Sequence, residues 1–142
     1  MNSKLHAVCD GEGRPIVMML TEGQMSDHKG AVLLFDALPN AKELLGDKGY
    51  DSDWFRAALT ARGITIVLST HDVDFAYRWA DDIHLFAAGR CLASFAAGDL
   101  PQHALPLRAA GQPLPAVLEL HRALAAHGLG DQPPSRSLDA LL

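Results

Sequence analysis

At 142 residues, 49% of them hydrophobic and 20% charged, the chain holds enough apolar material for one compact domain or for two partial ones, and its composition excludes wholesale disorder. Its 12 Lys and Arg lie scattered among 17 Asp and Glu, for a net charge of -5. No basic run or stripe of the kind that grips phosphate backbones is present, so unaided DNA binding is expected to be weak.

Met1 to Asp10 alternates polar and apolar residues without an uninterrupted apolar stretch, and no segment approaches the roughly 20 apolar residues that span a bilayer. A reduced, cytoplasmic setting is expected, with Cys9 and Cys91 as buried core thiols rather than a disulfide. No His pair stands at i, i+4 with a third ligand nearby, and His121 and His127 fall on different helix faces, so a histidine metal site is not expected.

Lys4 to Cys9 reads as a strand with Leu5, Ala7 and Cys9 on one face; Gly11 to Pro15 turns the chain, and the apolar run Ile16 to Leu20 reads as a second hairpin strand buried on both faces. Ser26-Asp27 caps a helix through Asp36 with Ala31, Leu34, Phe35 and Leu38 on its apolar stripe. Glu43 to Gly46 reads as a short strand that delivers Asp47 at its tip. Ser52 or Asp51 caps a helix over Asp53 to Arg62, with Phe55, Ala58 and Leu59 inward and Gly63 ending it. The β-branched run Ile64 to Ser69 gives the clearest buried-strand pattern in the chain. A helix from Asp72 to Ala80 follows, with Tyr77 and Trp79 as packing residues, then strands Ile83 to Ala87 and Cys91 to Phe95 around Gly89-Arg90. Gly98 to Pro113 reads as irregular or short helical structure. Pro115 opens a helix over Ala116 to His127 with Val117, Leu120 and Leu124 on one face, and the tail from Asp131 reads as loose. The alternation of strands and helices indicates an α/β class, and no internal repeat is visible.

Three segments of the first 63 residues occur in a distinctive order: Ser3-Lys4-Leu5-His6-Ala7-Val8-Cys9-Asp10, Leu20-Thr21-Glu22-Gly23-Gln24-Met25-Ser26-Asp27 and Asp47-Lys48-Gly49-Tyr50-Asp51. Together they resemble the catalytic domain of bacterial insertion-sequence transposases of the DDE type. The resemblance implies a partial ribonuclease-H-like fold over residues 1–63, DNA as partner, and metal-dependent DNA strand transfer with Mg²⁺ in the parent family. It also implies that Asp47 is the second acidic metal ligand. Two metals spaced about 3.5–4 Å apart need several convergent carboxylates. The family's first acidic residue lies on a strand preceding this hairpin and its third on a later helix, so only one of the three is expected within these residues. Read without the resemblance, Asp47 is a loop or helix-start carboxylate. Asp51 and Asp53 read as helix-start charges, and Asp10 is not assigned to the triad.

From Ile64 the texture changes. Ile66-Val67-Leu68-Ser69-Thr70-His71-Asp72, then Asp74, Ala76 and Trp79-Ala80-Asp81, are similar to the switch-histidine strand and the segment after it in ABC transporter ATPases. The segment Pro115 to His121 is similar to the C-terminal helix of ATPases that drive cobalt or nickel import. The resemblance implies a partial ABC ATPase α/β fragment over residues 64–130, while the composition after it marks 131–142 as a flexible tail. It also implies His71 as the switch histidine facing the γ-phosphate of Mg-ATP, and full-length ABC ATPases or membrane subunits as partners. The sequence contains no Gly-x-x-x-x-Gly-Lys-[Ser/Thr] loop, no strand-end Asp-Glu pair and no Ser-Gly-Gly signature. The other reading of His71 is a solvent-facing loop histidine.

The junction falls near Arg62-Gly63-Ile64-Thr65, where both families place a helix ending in Arg-Gly before an apolar strand. The two halves are expected to donate strands to different sheets, each lacking its central members, with exposed edges and half-covered apolar faces. No complete active site is expected, and no cofactor is expected to bind. Three readings follow: an inactive or accessory transposase-derived fragment, a nucleotide-binding fragment of a metal importer, or the product of gene disruption without a function of its own.

Overall fold

The structure, a computed structural model, describes residues 2–129 and 134–136. Strands β1 (Ser3–Cys9) and β2 (Pro15–Glu22) form an antiparallel hairpin. The Asp10 carboxylate closes its turn, accepting from the amides of Glu12 and Arg14 and from Arg14 Nε at 2.7 Å. These donors hold the Asp10 carboxyl below its usual range. Helix α1 (Asp27–Leu34) runs into a 3-10 turn at Phe35–Ala37 and buries Ala31 and Leu34, as its apolar spacing predicts.

Strand β3 (Glu43–Asp47) leads through a 3-10 turn (Lys48–Tyr50) to helix α2 (Asp53–Ala61) and then strand β4 (Thr65–Ser69). Ser52, not Asp51, caps α2, its hydroxyl accepting from the Phe55 amide. Gly63 ends the helix at φ +70, the left-handed conformation that a Cβ disfavours. The sequence predicts that the segments on either side of residue 63 join different sheets; instead β3 and β4 pair in parallel, from Glu43↔Thr65 to Asp47↔Ser69. The reason is local: strand, helix and strand in close succession form a βαβ unit, whatever lies beyond it.

The chain divides into two compact units, Met1–Ser69 and Thr70–Leu142. In the first, Ala31, Phe55, Leu59 and Ile64 form the core, with Leu44 and Ile66 packed on it. Neither β2 nor β4 is buried on both faces. Ile16, Met18 and Leu20 are exposed along one side of β2, and Leu45 and Val67 along one side of the β3–β4 pair. Each two-stranded sheet is covered on one side only, so an apolar run alternates in burial despite its uniform composition.

In the second unit, helix α3 (Val73–Trp79) is capped by Asp72, whose carboxylate accepts from the Phe75 amide. Strands β5 (Asp82–Ala87) and β6 (Arg90–Ala96) form an antiparallel hairpin whose turn places Ala88 and Gly89 at positive φ. A 3-10 stretch (Ala97–Gln102) and helices α4 (Ala104–Ala109) and α5 (Ala116–Ala126) complete it. Asp74 reaches across to accept from the Ala116 amide at 2.7 Å, satisfying a donor at the start of α5. The core joins Tyr77, Ile83, Leu85, Ala97, Leu100, Leu107, Val117 and Leu118.

Tyr77 packs as expected, but Trp79 is 46% exposed. Helix α5 presents Val117 and Leu118 inward rather than Val117 and Leu120, a rotation that the helical spacing alone does not decide. Cys9 and Cys91 are free but exposed, since each sits on the uncovered side of its strand. The loose tail predicted from Asp131 lies outside the described residues except for 134–136, where Arg136 Nε donates to the Tyr77 carbonyl at 2.7 Å. Among the described residues, no helix is long and apolar enough to cross a membrane.

Candidate functional site

Asp47 stands at the carboxyl end of β3 beside Ser69 at the carboxyl end of β4. In open parallel sheets, this is the end at which ligands bind. Its carboxylate is exposed and accepts from the Gly49 amide at 3.2 Å, capping the 3-10 turn that follows. Asp51 N donates to the Lys48 carbonyl to close that turn, while the Asp51 and Asp53 carboxylates pair with Arg56 at the start of α2. Those two carboxylates are thus engaged locally, in keeping with their reading as helix-start charges.

Beside the turn lies a polar group that the sequence reading did not isolate. His6, on the inner face of β1, is fully buried. Its Nδ1 hydrogen-bonds Tyr50 Oη and its Nε2 hydrogen-bonds Thr21 Oγ1, each at 3.0 Å. Asp27 Oδ1 lies 4.0 Å from Nδ1, and Lys4 Nζ donates to Asp27 Oδ1 and to the Met25 carbonyl, both at 3.0 Å. Gly30 of α1 covers the ring: a Cβ there would lie 2.5 Å from His6 Cε1. Burial pushes the Tyr50 hydroxyl above its ordinary value; the Asp27 charge adds to this, Lys4 opposes it, and Asp47 contributes further in the upward direction. The available signal was the polar residues Lys4 and His6 alternating on one strand face, both within the quoted motif.

The divalent metals implied by the first resemblance do not fit this donor set. Among the described residues, no group of three or more His, Cys, Asp or Glu could hold a metal ion. Lys4 already pairs with Asp27, and Asp10 is spent on its own turn. His71 belongs to the other unit, exposed in the bend between β4 and α3, with Asp72 beside it committed to its cap. Asp47 and His71 therefore fall in separate units, each at the carboxyl end of a strand or just beyond it.

Residues 1–85 match the transposase DDE domain family. The chain is 33% identical over 93 residues to a transposase for insertion sequence element IS402 of Burkholderia cepacia, covering 54% of this chain and 44% of that protein. It is also 39% identical over 71 residues to the energy-coupling factor transporter ATP-binding protein EcfA2 of Methanospirillum hungatei, covering 50% of this chain and 18% of that one. Over 62 residues it is 42% identical to the cobalt import ATP-binding protein CbiO of Rhodobacter capsulatus, covering 44% and 22% respectively. The chain spans less than half the length of each of these relatives. Similarity to both a transposase and ABC-type ATP-binding proteins identifies a hybrid.

Proposed function

This chain belongs to the transposase DDE domain family, and on that premise we propose that it is a transposition-derived hybrid lacking a complete catalytic centre. In this reading residues 1–63 are a ribonuclease-H-like fragment that retains Asp47, the second acidic residue of the parent site. Residues 64–130 are an ABC ATPase fragment that retains His71, and 131–142 form its tail. The observation that carries the reading is the exposed Asp47 carboxylate at the tip of a parallel strand pair, within a segment that matches the family. Phosphoryl and phosphodiester chemistry needs several charged groups converging on one reacting centre. Asp47 and His71 are single members of two different sets.

A second reading is an ATP-binding subunit fragment of a cobalt or nickel importer, favoured by the identity to EcfA2 and CbiO and by the exposed His71 just after a strand. DNA is the partner under the first reading; a full-length ABC ATPase or its membrane subunits are the partners under the second. A thermal-shift titration separates them, with Mg-ATP and Mn²⁺ added in separate series and nicking of a DNA duplex assayed in parallel. Neither addition is expected to shift the melting temperature, and no nicking is expected. A shift of several degrees with Mg-ATP that His71→Ala abolishes would replace the first reading with the second. Nicking that Asp47→Asn abolishes would overturn the incomplete centre.

A further inference from the structure

We propose that His6 is the positioning residue for Asp47, acting through Tyr50 to fix the turn that orients the strand-tip carboxylate. The inference rests on the reading of Asp47 as the site carboxylate, and it names the device that holds that group in place.

A buried imidazole is costly unless its nitrogens are bonded. Here both are used, and both partners are hydroxyls that can donate or accept, so either tautomer is satisfied. The partners lie 44 and 15 residues away in sequence, on the Asp47 turn and on β2. An apolar ring of similar volume could fill the space, but it would leave the Tyr50 and Thr21 hydroxyls without this partner.

The turn is held at two successive residues. Gly49, which donates to the Asp47 carboxylate, packs so closely on Asp27 that a Cβ would lie 2.9 Å from Oδ2. Asp27 is itself anchored by Lys4 from β1. The next residue, Tyr50, is anchored by His6 from the same strand, with the two rings edge to face at 5.8 Å. Gly30 lets α1 close over the imidazole where any larger residue would collide with it. Strand β1 thus grips the turn through both Lys4 and His6, and the Asp47 rotamer follows from where the Gly49 amide is held.

The experiment uses the whole 142-residue chain without added metal. Three-bond couplings to the Asp47 side-chain carboxyl carbon report its χ1 rotamer, the Gly49 amide proton shift reports its hydrogen bond, and the Leu59 methyl resonances report the core. The wild type is expected to show one Asp47 rotamer. His6→Phe, which fills the space without the hydrogen bonds, is expected to average that rotamer and move the Gly49 amide upfield while the Leu59 methyls stay in place. His6→Asn, which returns a polar group opposite Tyr50, is expected to restore the wild-type couplings. If His6→Phe disperses the Leu59 signals, Tyr50→Phe decides the matter, since it deletes only the hydroxyl and is expected to give the same averaging. A single unaltered Asp47 rotamer in whichever of these variants keeps its core, or averaging already present in the wild type, overturns the proposal. These readouts are independent of the Mn²⁺, Mg-ATP and nicking results, so either reading can fail while the other stands.

Discussion

In the unit Met1–Ser69, a modest apolar cluster around Phe55 and Leu59 shares the interior with a buried imidazole and its hydroxyl partners, and the outer sides of both strand pairs stay uncovered. In the unit Thr70–Leu142, a larger apolar core gathers side chains from α3, the β5–β6 hairpin, α4 and α5, with Tyr77, Leu100 and Leu107 almost wholly enclosed. The first unit encloses a hydrogen-bonded polar cluster beside its apolar core, whereas the core of the second is built from Tyr77 and aliphatic side chains. Directional bonds fix the orientation of a particular group, such as a carboxylate at a strand tip; apolar area adds stability without specifying any one orientation.

The chain's two tryptophans, Trp54 on α2 and Trp79 on α3, give each unit its own fluorescence reporter once the other is replaced by Phe. The largest effect is expected from truncating a core leucine. Leu100→Ala should destabilise the transition seen at Trp79, and Leu59→Ala that seen at Trp54, each by about 2–5 kcal/mol in urea titrations. A Leu100→Ala variant that displaces the Trp54 curve as far as the Trp79 curve would break the contrast between two separate cores. A smaller effect follows from deleting the helix caps. Ser52→Ala and Asp72→Ala each remove a side-chain acceptor from an amide in the first helical turn and should cost about 1 kcal/mol at the corresponding reporter.

The smallest effect should emerge at high pH. Burial raises the hydroxyls of both Tyr50 and Tyr77. The folded state therefore holds these protons more tightly than the unfolded chain. Their contribution to stability is complete below the ordinary tyrosine value of about 10 and is lost as pH rises through the higher folded values. Melting curves taken across that range should show Tyr50→Phe reducing the alkaline loss at Trp54 and leaving the loss at Trp79. An unchanged alkaline loss at Trp54 would mean that Tyr50 does not govern it.

What could be read from the sequence was what is decided locally. The strand ending at Asp47, the Ser52 cap and the Gly63 terminus each depend on a few neighbouring residues, and the structure has them where that reasoning puts them. The side of a strand that is covered depends on partners elsewhere in the chain. For that reason Ile16 to Leu20 reads as buried on both faces and Ile64 to Ser69 as a buried strand, while the structure exposes one side of each. The exposed Cys9 and Cys91, and the inward Leu118 in place of Leu120, have the same origin. At the candidate site, Asp47 stood out through its motif, but His6 did not: the alternation of Lys4 and His6 marks a polar strand face without naming Tyr50, 44 residues away, as the partner.

The parallel ladder from Glu43↔Thr65 to Asp47↔Ser69 has a meaning for how such a chain can arise. β4 lies inside the transposase family match, which extends to residue 85. Peptide groups are chemically alike in every sequence, so a ladder cannot distinguish the ancestry of the strands that form it. A recombination point just after a helix leaves the main-chain pairing intact and changes only the side chains that decorate it. Such helix–strand boundaries are therefore where unrelated genes can exchange parts with the least disturbance to folding.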